Sequence, residues 1–388
     1  MTDTVHIHAD WKSLNHVHEE LCGDRVMIRR DDKSFVMVLA DGLGSGVKAN
    51  ILSTLTSTII SEMVFSGMDL TEAVETITAT LPVCQDREVA YSTFNIIQIF
   101  YDGRAAVVQY DSPNAVFIRG FSLYHPEEEH IEVSGKPLTI YHMNLQPDDY
   151  IIMFSDGILY AGTEMELNLG WGQKEVEEFL ASEIRPGDSP GEVARILLAN
   201  VNALYGGAPG DDSTVACVHA IPASETYVMI GPPKDKEADQ EVVRKLLSAT
   251  GKKICCGGTT ASVVGRFIGR EAVTDQDSMR PDVPPKAFMD GIDLVTEGLL
   301  TLQKVSRWLT KACDDRDFLE ELRTSREQDG ASCLIRELLE ATSVTFLVGL
   351  SDNAENNSIS SLKDKIALIR DISYCLQKVG VICRIECK

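Results

Sequence analysis

The chain has 388 residues, 44% of them hydrophobic, and a formal net charge of −23. Its length exceeds one ordinary domain, so two are expected, with apolar material for a core in each. The charge excludes a nucleic acid or an anionic membrane as partner, since either would be repelled, and any phosphate chemistry on so acidic a surface would need cations in the site.

The opening stretch, MTDTVHIHADWK, lacks the basic start and apolar core of a signal peptide, and no run is long enough to span a bilayer. Ten cysteines with neither a Cys-x-x-Cys nor a paired framework fit a reducing compartment. A cytoplasmic protein is expected. His6, His8, His16 and His18 invite a metal reading, but no Cys or carboxylate completes a familiar ligand spacing around them. Solvated or satisfied histidines account for them better.

Val26 to Arg30 and Phe35 to Ala40 form a predicted hairpin around Asp31-Asp32-Lys33. Asp24 precedes its first strand and Asp41 follows its second, so the two carboxylates should converge. The second strand ends in Asp41-Gly-Leu-Gly-Ser-Gly46, where Gly42, Gly44 and Gly46 leave backbone groups open to close approach. Helical spacing follows through Val47, Ile51, Leu52, Leu55, Ile59, Ile60 and Met63, and Ser66-Gly67 stops it. Asp69 to Glu72 has capping-box spacing before a second helix, Ala73 to Leu81, with Val74 and Ile77 inward.

From Val89 to Phe121 strands return, among them Asn95 to Tyr101 and Arg104 to Tyr110 joined by Asp102-Gly103. Tyr150 to Phe154 is a further strand that delivers Ser155-Asp156-Gly157. Gln173 to Ile184 and Gly191 to Tyr205 form a second predicted helix pair, broken by Pro186 and Pro190. Gly210-Asp211-Asp212-Ser213-Thr214 then precedes a closing strand, Val215 to Ile221. Two antiparallel sheets with helices outside is the most economical packing of this order, an α+β arrangement.

Asp-Gly is also a common hairpin turn, and the chain has five such pairs, at 41, 102, 156, 290 and 329. The pair at 156 instead repeats the pattern at 41, since Ser155-Asp156-Gly157 ends the apolar run Tyr150 to Phe154 and no clean return strand follows. Carboxylates with a backbone carbonyl are hard ligands suited to Mg²⁺ or Mn²⁺. Gathered without cations they would repel one another, so the cluster predicts its own metals. Two such ions favour phosphate ester hydrolysis by a bridging water.

Gly23-Asp24, Asp41-Gly-Leu-Gly-Ser-Gly, Phe154-Ser-Asp156-Gly and Gly210-Asp211-Asp-Ser-Thr, in that order and spacing, resemble the PPM-class (type 2C) serine/threonine protein phosphatases. Ser112-Pro113-Asn114 before Phe117-Ile-Arg-Gly120 points to the stage II sporulation E branch, and the resemblance covers about 1–221. It implies an αββα sandwich and two Mn²⁺ or Mg²⁺ ions, with Asp41 bridging both and the Gly42 carbonyl binding one. Asp24 would reach one ion directly or through water, and Asp156 and Asp211 would hold the metals from the other side. Asp212, where the wider family often has asparagine, would stand behind these ligands. The phosphate-gripping arginine of some relatives has no clear counterpart, since Arg25 and Lys48 are equally well read as surface charges. The implied activity is hydrolysis of phosphoserine or phosphothreonine on a phosphorylated regulatory protein of the anti-anti-sigma type. The alternative is a catalytically silent scaffold of the same fold, which would have no chemical reason to keep all four acidic positions.

After a short linker, residues 227–388 alternate strands (Tyr227 to Ile230, Lys253 to Cys256, Ile292 to Val295, Val344 to Val348, Val381 to Ile385) with helices near 238–249, 299–313, 331–341 and 361–378. This is the pattern of a smaller α/β domain with a largely parallel sheet. Cys255 to Thr260 and Asp293 to Gly298 end strands in glycine and polar residues, and could line one pocket if both lie at the sheet's carboxyl edge. The simpler reading of the first is a glycine turn with a threonine cap. Seven cysteines lie beyond residue 250, at spacings that match no ligand pattern. A regulator of the phosphatase is expected after residue 226 or on another chain, and this domain is accordingly expected to bind a small-molecule or protein ligand and control the phosphatase. A homodimer is compatible with the sequence.

Overall fold

The computed structural model describes residues 5–31, 33–80, 83–84, 89–90, 92–133, 135–163, 170–313, 315–351 and 359–388. The chain divides into two compact units, Met1–Pro222 and Ala223–Lys388.

Unit 1 begins with β1 (Val5–Leu14), β2 (Asp24–Arg30), β3 (Ser34–Gly42), α1 (Gly46–Phe65) and α2 (Leu70–Thr80). A short pair, β4 (Val83–Cys84) and β5 (Val89–Ala90), leads to β6 (Ser92–Phe100), β7 (Arg104–Tyr110), β8 (Val116–Arg119), β9 (Ser122–Leu123), β10 (Glu127–Val133) and β11 (Lys136–Asn144). β12 (Tyr150–Phe154), α3 (Gln173–Glu183), α4 (Pro190–Leu204) and β13 (Ser213–Pro222) complete it. One sheet has the order β1-β13-β12-β8-β9 and the other β10-β11-β7-β6-β3-β2. Both are antiparallel in every pairing.

Three apolar layers hold the stack. Ile7, Met37, Ile97, Met153 and Val218 meet between the sheets. Val36, Val38 and Ile96 pack under Ile60, Val74 and Ile77 of α1 and α2. Ile152, Phe154 and Cys217 pack under Val176, Leu180, Val193 and Leu197 of α3 and α4. The unit is therefore the αββα sandwich that the sequence resemblance implied.

The hairpin β2-β3 and the strand pair β6-β7 form where the apolar runs place them. The Asp69 carboxylate caps α2 by accepting from the Thr71 amide at 2.8 Å, and Val74 and Ile77 point inward. The end of the second predicted helix, Leu81, lies outside the described residues. α1 is less straightforward, because much of its regularly spaced apolar stripe faces outward. Val47, Ile51, Leu55 and Ile59 are 63, 53, 52 and 43% exposed, while Ala49, Ser53, Thr56, Ser57, Ile60, Ser61 and Val64 are buried. The cause is close approach: a Cβ at Gly42 would lie 2.1 Å from the Ala49 carbonyl oxygen, so mostly small side chains fit beneath the helix. The Ser53, Ser57 and Ser61 hydroxyls bond to carbonyls three residues back, which removes the cost of burying them. The β10-β11 hairpin was not evident from the sequence because β10 is an edge strand with a mostly exposed EEEHIEV run.

Unit 2 contains β14 (Glu225–Ile230), α5 (Lys236–Ser248), β15 (Lys252–Cys256), α6 (Gly258–Ile268), β16 (Val273–Thr274), β17 (Ala287–Met289) and β18 (Ile292–Thr296). α7 (Leu299–Ala312), α8 (Arg316–Thr324), α9 (Gly330–Glu340), β19 (Ser343–Val348), α10 (Ile359–Lys378) and β20 (Ile382–Cys387) follow. The sheet order is β16-β17-β18-β15-β14-β19-β20, with β18 to β20 parallel and only the β16-β17-β18 edge antiparallel. Separate apolar clusters cover the two faces, one with Ile254, Leu334 and Phe346 and the other with Val243, Cys255 and Val264. Thr226, which the sequence placed in the linker, is buried in β14, and only Ala223-Ser224 separate the last strand of unit 1 from the first of unit 2.

Candidate metal centre

The hairpin brings the first two acidic residues together directly. Asp24 and Asp41 are register partners across β2 and β3, so their side chains leave the same face of the sheet. Ser155-Asp156 follows β12, and Asp211-Asp212 immediately precedes β13, β12's antiparallel neighbour. The four predicted metal-binding aspartates, Asp24, Asp41, Asp156 and Asp211, thus belong to one electrostatic cluster.

Their charges register on one another. Burial, partly opposed by hydrogen bonds from Ser155 and Thr214, lifts the Asp24 carboxyl to about 7, and the charges of Asp212 and Asp156 add to the rise. Asp41 is pushed well above the usual carboxylate range by burial, and then by Asp24, Asp156 and Asp211. Asp156 rises through burial and is hydrogen-bonded to Asp41. Burial and Asp156 lift Asp211 to about 6. These are the signatures of acids crowded together and out of water.

The surrounding contacts fix the frame. The Ser155 hydroxyl donates to Asp24 Oδ2 at 2.7 Å and accepts from the Thr214 amide at 2.8 Å, which ties β2 to the other sheet. Asp24 Oδ1 is buried and has no hydrogen-bond partner among the described residues. Asp212 accepts from the His16 amide at 2.9 Å and the Gly23 amide at 2.8 Å. Both of its carboxylate oxygens thus bind backbone. Gly42 is buried beside Asp41, and the Ser92 hydroxyl donates to the Asp41 carbonyl at 2.7 Å. At Gly157 a Cβ would lie 2.2 Å from the Asp212 carbonyl oxygen, so the two acidic loops meet backbone to backbone.

Among the described residues no three His, Cys, Asp or Glu side chains already stand in position to hold a metal ion. Asp41 and Asp156 are instead hydrogen-bonded to one another. The donors nevertheless fit a hard cation: they are all oxygen, they share one charge field, and Asp24 Oδ1 is an acceptor lacking a donor among the described residues. Ser155, Thr214 and the proximity of His16 to Asp211 were not singled out from the sequence. The Ser and Thr adjoin the acidic motifs, which was the available signal. Arg25 and Lys48 are both exposed.

Residues 31–220 match the family model described as stage II sporulation protein E (SpoIIE). Stage II sporulation protein E of Bacillus subtilis (strain 168) is 22% identical over 220 residues, 56% of this chain and 26% of that protein. The Priestia megaterium protein of the same name is 21% identical over 193 residues, 49% of this chain and 32% of its own length. The chain thus spans about a quarter to a third of these curated relatives. A solved structure of the PP2C phosphatase domain and a regulatory-domain fragment of Bacillus subtilis SpoIIE superposes with TM-score 0.48 at 21% identity, over 57% of this chain and 64% of that one. A structure of RsbX in complex with magnesium gives TM-score 0.39 at 19% identity, over 55% of this chain and 96% of that one.

Proposed function

We infer, because residues 31–220 form a SpoIIE-type segment of the PPM phosphatase class, that unit 1 is a metal-dependent phosphatase acting on phosphoserine or phosphothreonine of a regulatory protein. By sequence resemblance that protein would be of the anti-anti-sigma type. The observation that carries the reading is the convergence of Asp24, Asp41, Asp156 and Asp211 in one buried charge field at the strand ends.

Asp41 and the Gly42 carbonyl would hold two Mn²⁺ or Mg²⁺ ions from one side, with Asp24 reaching one of them and Asp156 and Asp211 opposite. Bound divalent cations would lower the pKa of a water held among the carboxylates and offset charge on a phosphoryl group. The protein's own task is to hold these acids together and aimed. Ser155 restrains Asp24 from the opposite sheet, and Asp212 locks Gly23, the residue before Asp24, to the 211–214 loop. The contact between Gly157 and the Asp212 backbone sets the distance between the two loops.

The test is manganese-dependent hydrolysis of an aryl phosphate by the full chain and by Asp41→Ala and Asp156→Asn. Each substitution should lower the rate by at least about a hundredfold. Equal rates in all three would remove the enzyme reading and leave a phosphoprotein-binding scaffold. Unit 2 would act as the regulator of this hydrolysis. If no ligand bound by unit 2 altered either the rate or the substrate preference of the full chain, that role would be withdrawn.

A further inference from the structure

The carboxyl ends of β14, β15 and β18 and the loop after β19 border a cavity of about 370 Å³. It lies where strand order reverses: β15 and β18 are on one side of β14, and β19 and β20 on the other. Chain leaving neighbouring strands in opposite directions leaves a crevice there, the usual ligand position in an open parallel sheet. Its size is at the small-molecule end of the range for ligand sites.

Gly231, Gly257, Gly258 and Gly298 make up part of the wall. A Cβ at Gly231 would stand 2.9 Å from Lys365 Nζ, and one at Gly257 would stand 3.2 Å from Thr260 Oγ1. The wall is braced, because Thr260 Oγ1 donates to the Cys256 carbonyl at 2.9 Å and accepts from the Gly231 amide at 2.8 Å. Among the described residues, two side chains bring formal charge to the lining, Lys365 and Glu297. Lys365 reaches from α10 to the Gly349 carbonyl at 2.5 Å, which holds its ammonium at the end of β19. Glu297 accepts from the Leu300 amide at 3.1 Å, so its carboxylate is fixed at the start of α7. α6 opens at the cavity on Gly257, and among the described residues no side chain caps its first amides.

We propose that this cavity binds a phosphorylated sugar, free or as part of a nucleotide, with the phosphate held by the Lys365 ammonium and the first amides of α6, and the sugar hydroxyls donating to Glu297. Lysine acts as a point charge for phosphate, and uncapped helix amides supply directed donors. The carboxylate argues against inorganic phosphate alone, which it would repel and which would leave most of the space unfilled. A hydroxyl-bearing ligand turns that same carboxylate into an acceptor. The proposal stands apart from the phosphatase reading, since every group it uses lies in unit 2.

The experiment is calorimetric and thermal-shift titration of the full chain in EDTA, which keeps phosphate from being held by metal in unit 1. The probes are ribose 5-phosphate, AMP, inorganic phosphate, ribose and adenosine. At least one of the first two should bind about tenfold or more tightly than inorganic phosphate and than its own unphosphorylated counterpart. Binding of ribose 5-phosphate alone identifies a free sugar phosphate, and binding of AMP alone a nucleotide. Lys365→Ala and Gly258→Asp should each weaken binding about tenfold, whereas Lys365→Arg and Asp41→Ala should retain it. Gly258→Asp covers the case in which Lys365→Ala fails to fold, because a Cβ at Gly258 meets nothing within 4 Å. The proposal is overturned if no phosphorylated probe surpasses its counterpart, if binding survives both Lys365→Ala and Gly258→Asp, or if Asp41→Ala abolishes it.

Discussion

Units 1 and 2 both gather polar groups at strand ends, but they do so with opposite chemistry. In the antiparallel sandwich, β2 and β3 run in opposite directions, so the residue that opens one faces the residue near the close of the other, and Asp24 meets Asp41. Acid collects against acid, and burial raises every pKa in the group. In the parallel sheet of unit 2, strands send their carboxyl ends to a common edge and pass directly into helices. What collects there, among the described residues, is glycine, backbone amide and the charges of Lys365 and Glu297. On the readings proposed above, the first arrangement would take cations and the second an anion.

The five Asp-Gly pairs show how far the pairing of strands decides the meaning of a motif. Asp41 and Asp156 enter the acidic cluster. Asp102-Gly103 and Asp290-Gly291 turn the β6-β7 and β17-β18 hairpins. Asp329 caps α9, accepting from the Ala331 amide at 3.0 Å and the Ser332 amide at 3.1 Å.

The sharpest way to break this contrast is to titrate stability in a chelator. Asp24 keeps its proton in the folded state up to about 7, against an ordinary value of 3.8, and Asp211 keeps its own up to about 6. The folded state therefore binds more protons across that window. Its stability is complete below about pH 4 and falls as pH rises through 7. Calorimetry in EDTA should show the unit 1 transition several degrees lower at about pH 8 than at about pH 5, and Asp24→Asn should flatten that slope. A slope of opposite sign would mean that the acids are not crowded.

Smaller effects separate the units further. Gly157→Ala drives a Cβ into the Asp212 carbonyl and should cost unit 1 about 3 kcal/mol in chemical denaturation. Ser155→Ala leaves an Asp24 oxygen and the Thr214 amide without their buried partner, costs about 2 kcal/mol and weakens manganese binding about tenfold. Asp329→Ala should remove about 1 kcal/mol from the unit 2 transition while leaving manganese-dependent hydrolysis unchanged. Ile51→Gln, on the outer ridge of α1, should shift stability by less than about 0.5 kcal/mol. A loss above about 2 kcal/mol there would show that the ridge is covered in solution.

Much of the fold was legible because its signals are local. Asp31 turns the β2-β3 hairpin by accepting from the Lys33 and Ser34 amides, Asp69 caps α2, and the apolar runs of β3, β12 and β19 are too continuous to be half-exposed strands. The edge hairpins escaped notice for the converse reason. β10 is largely charged, and Val273 of β16 is 68% exposed, so neither carries a core pattern.

By itself the sequence determined which residues are acidic, where strands stop, and that four acidic loops follow one another at strand ends, since each of these depends on near neighbours in the chain. Only the tertiary structure decided which face of α1 is buried, that Ser155 restrains Asp24 across 131 positions, and that Asp212 holds backbone. Those outcomes depend on how closely a helix or a second sheet approaches. That distance is set by packing between segments far apart in sequence, and no spacing along the chain encodes it.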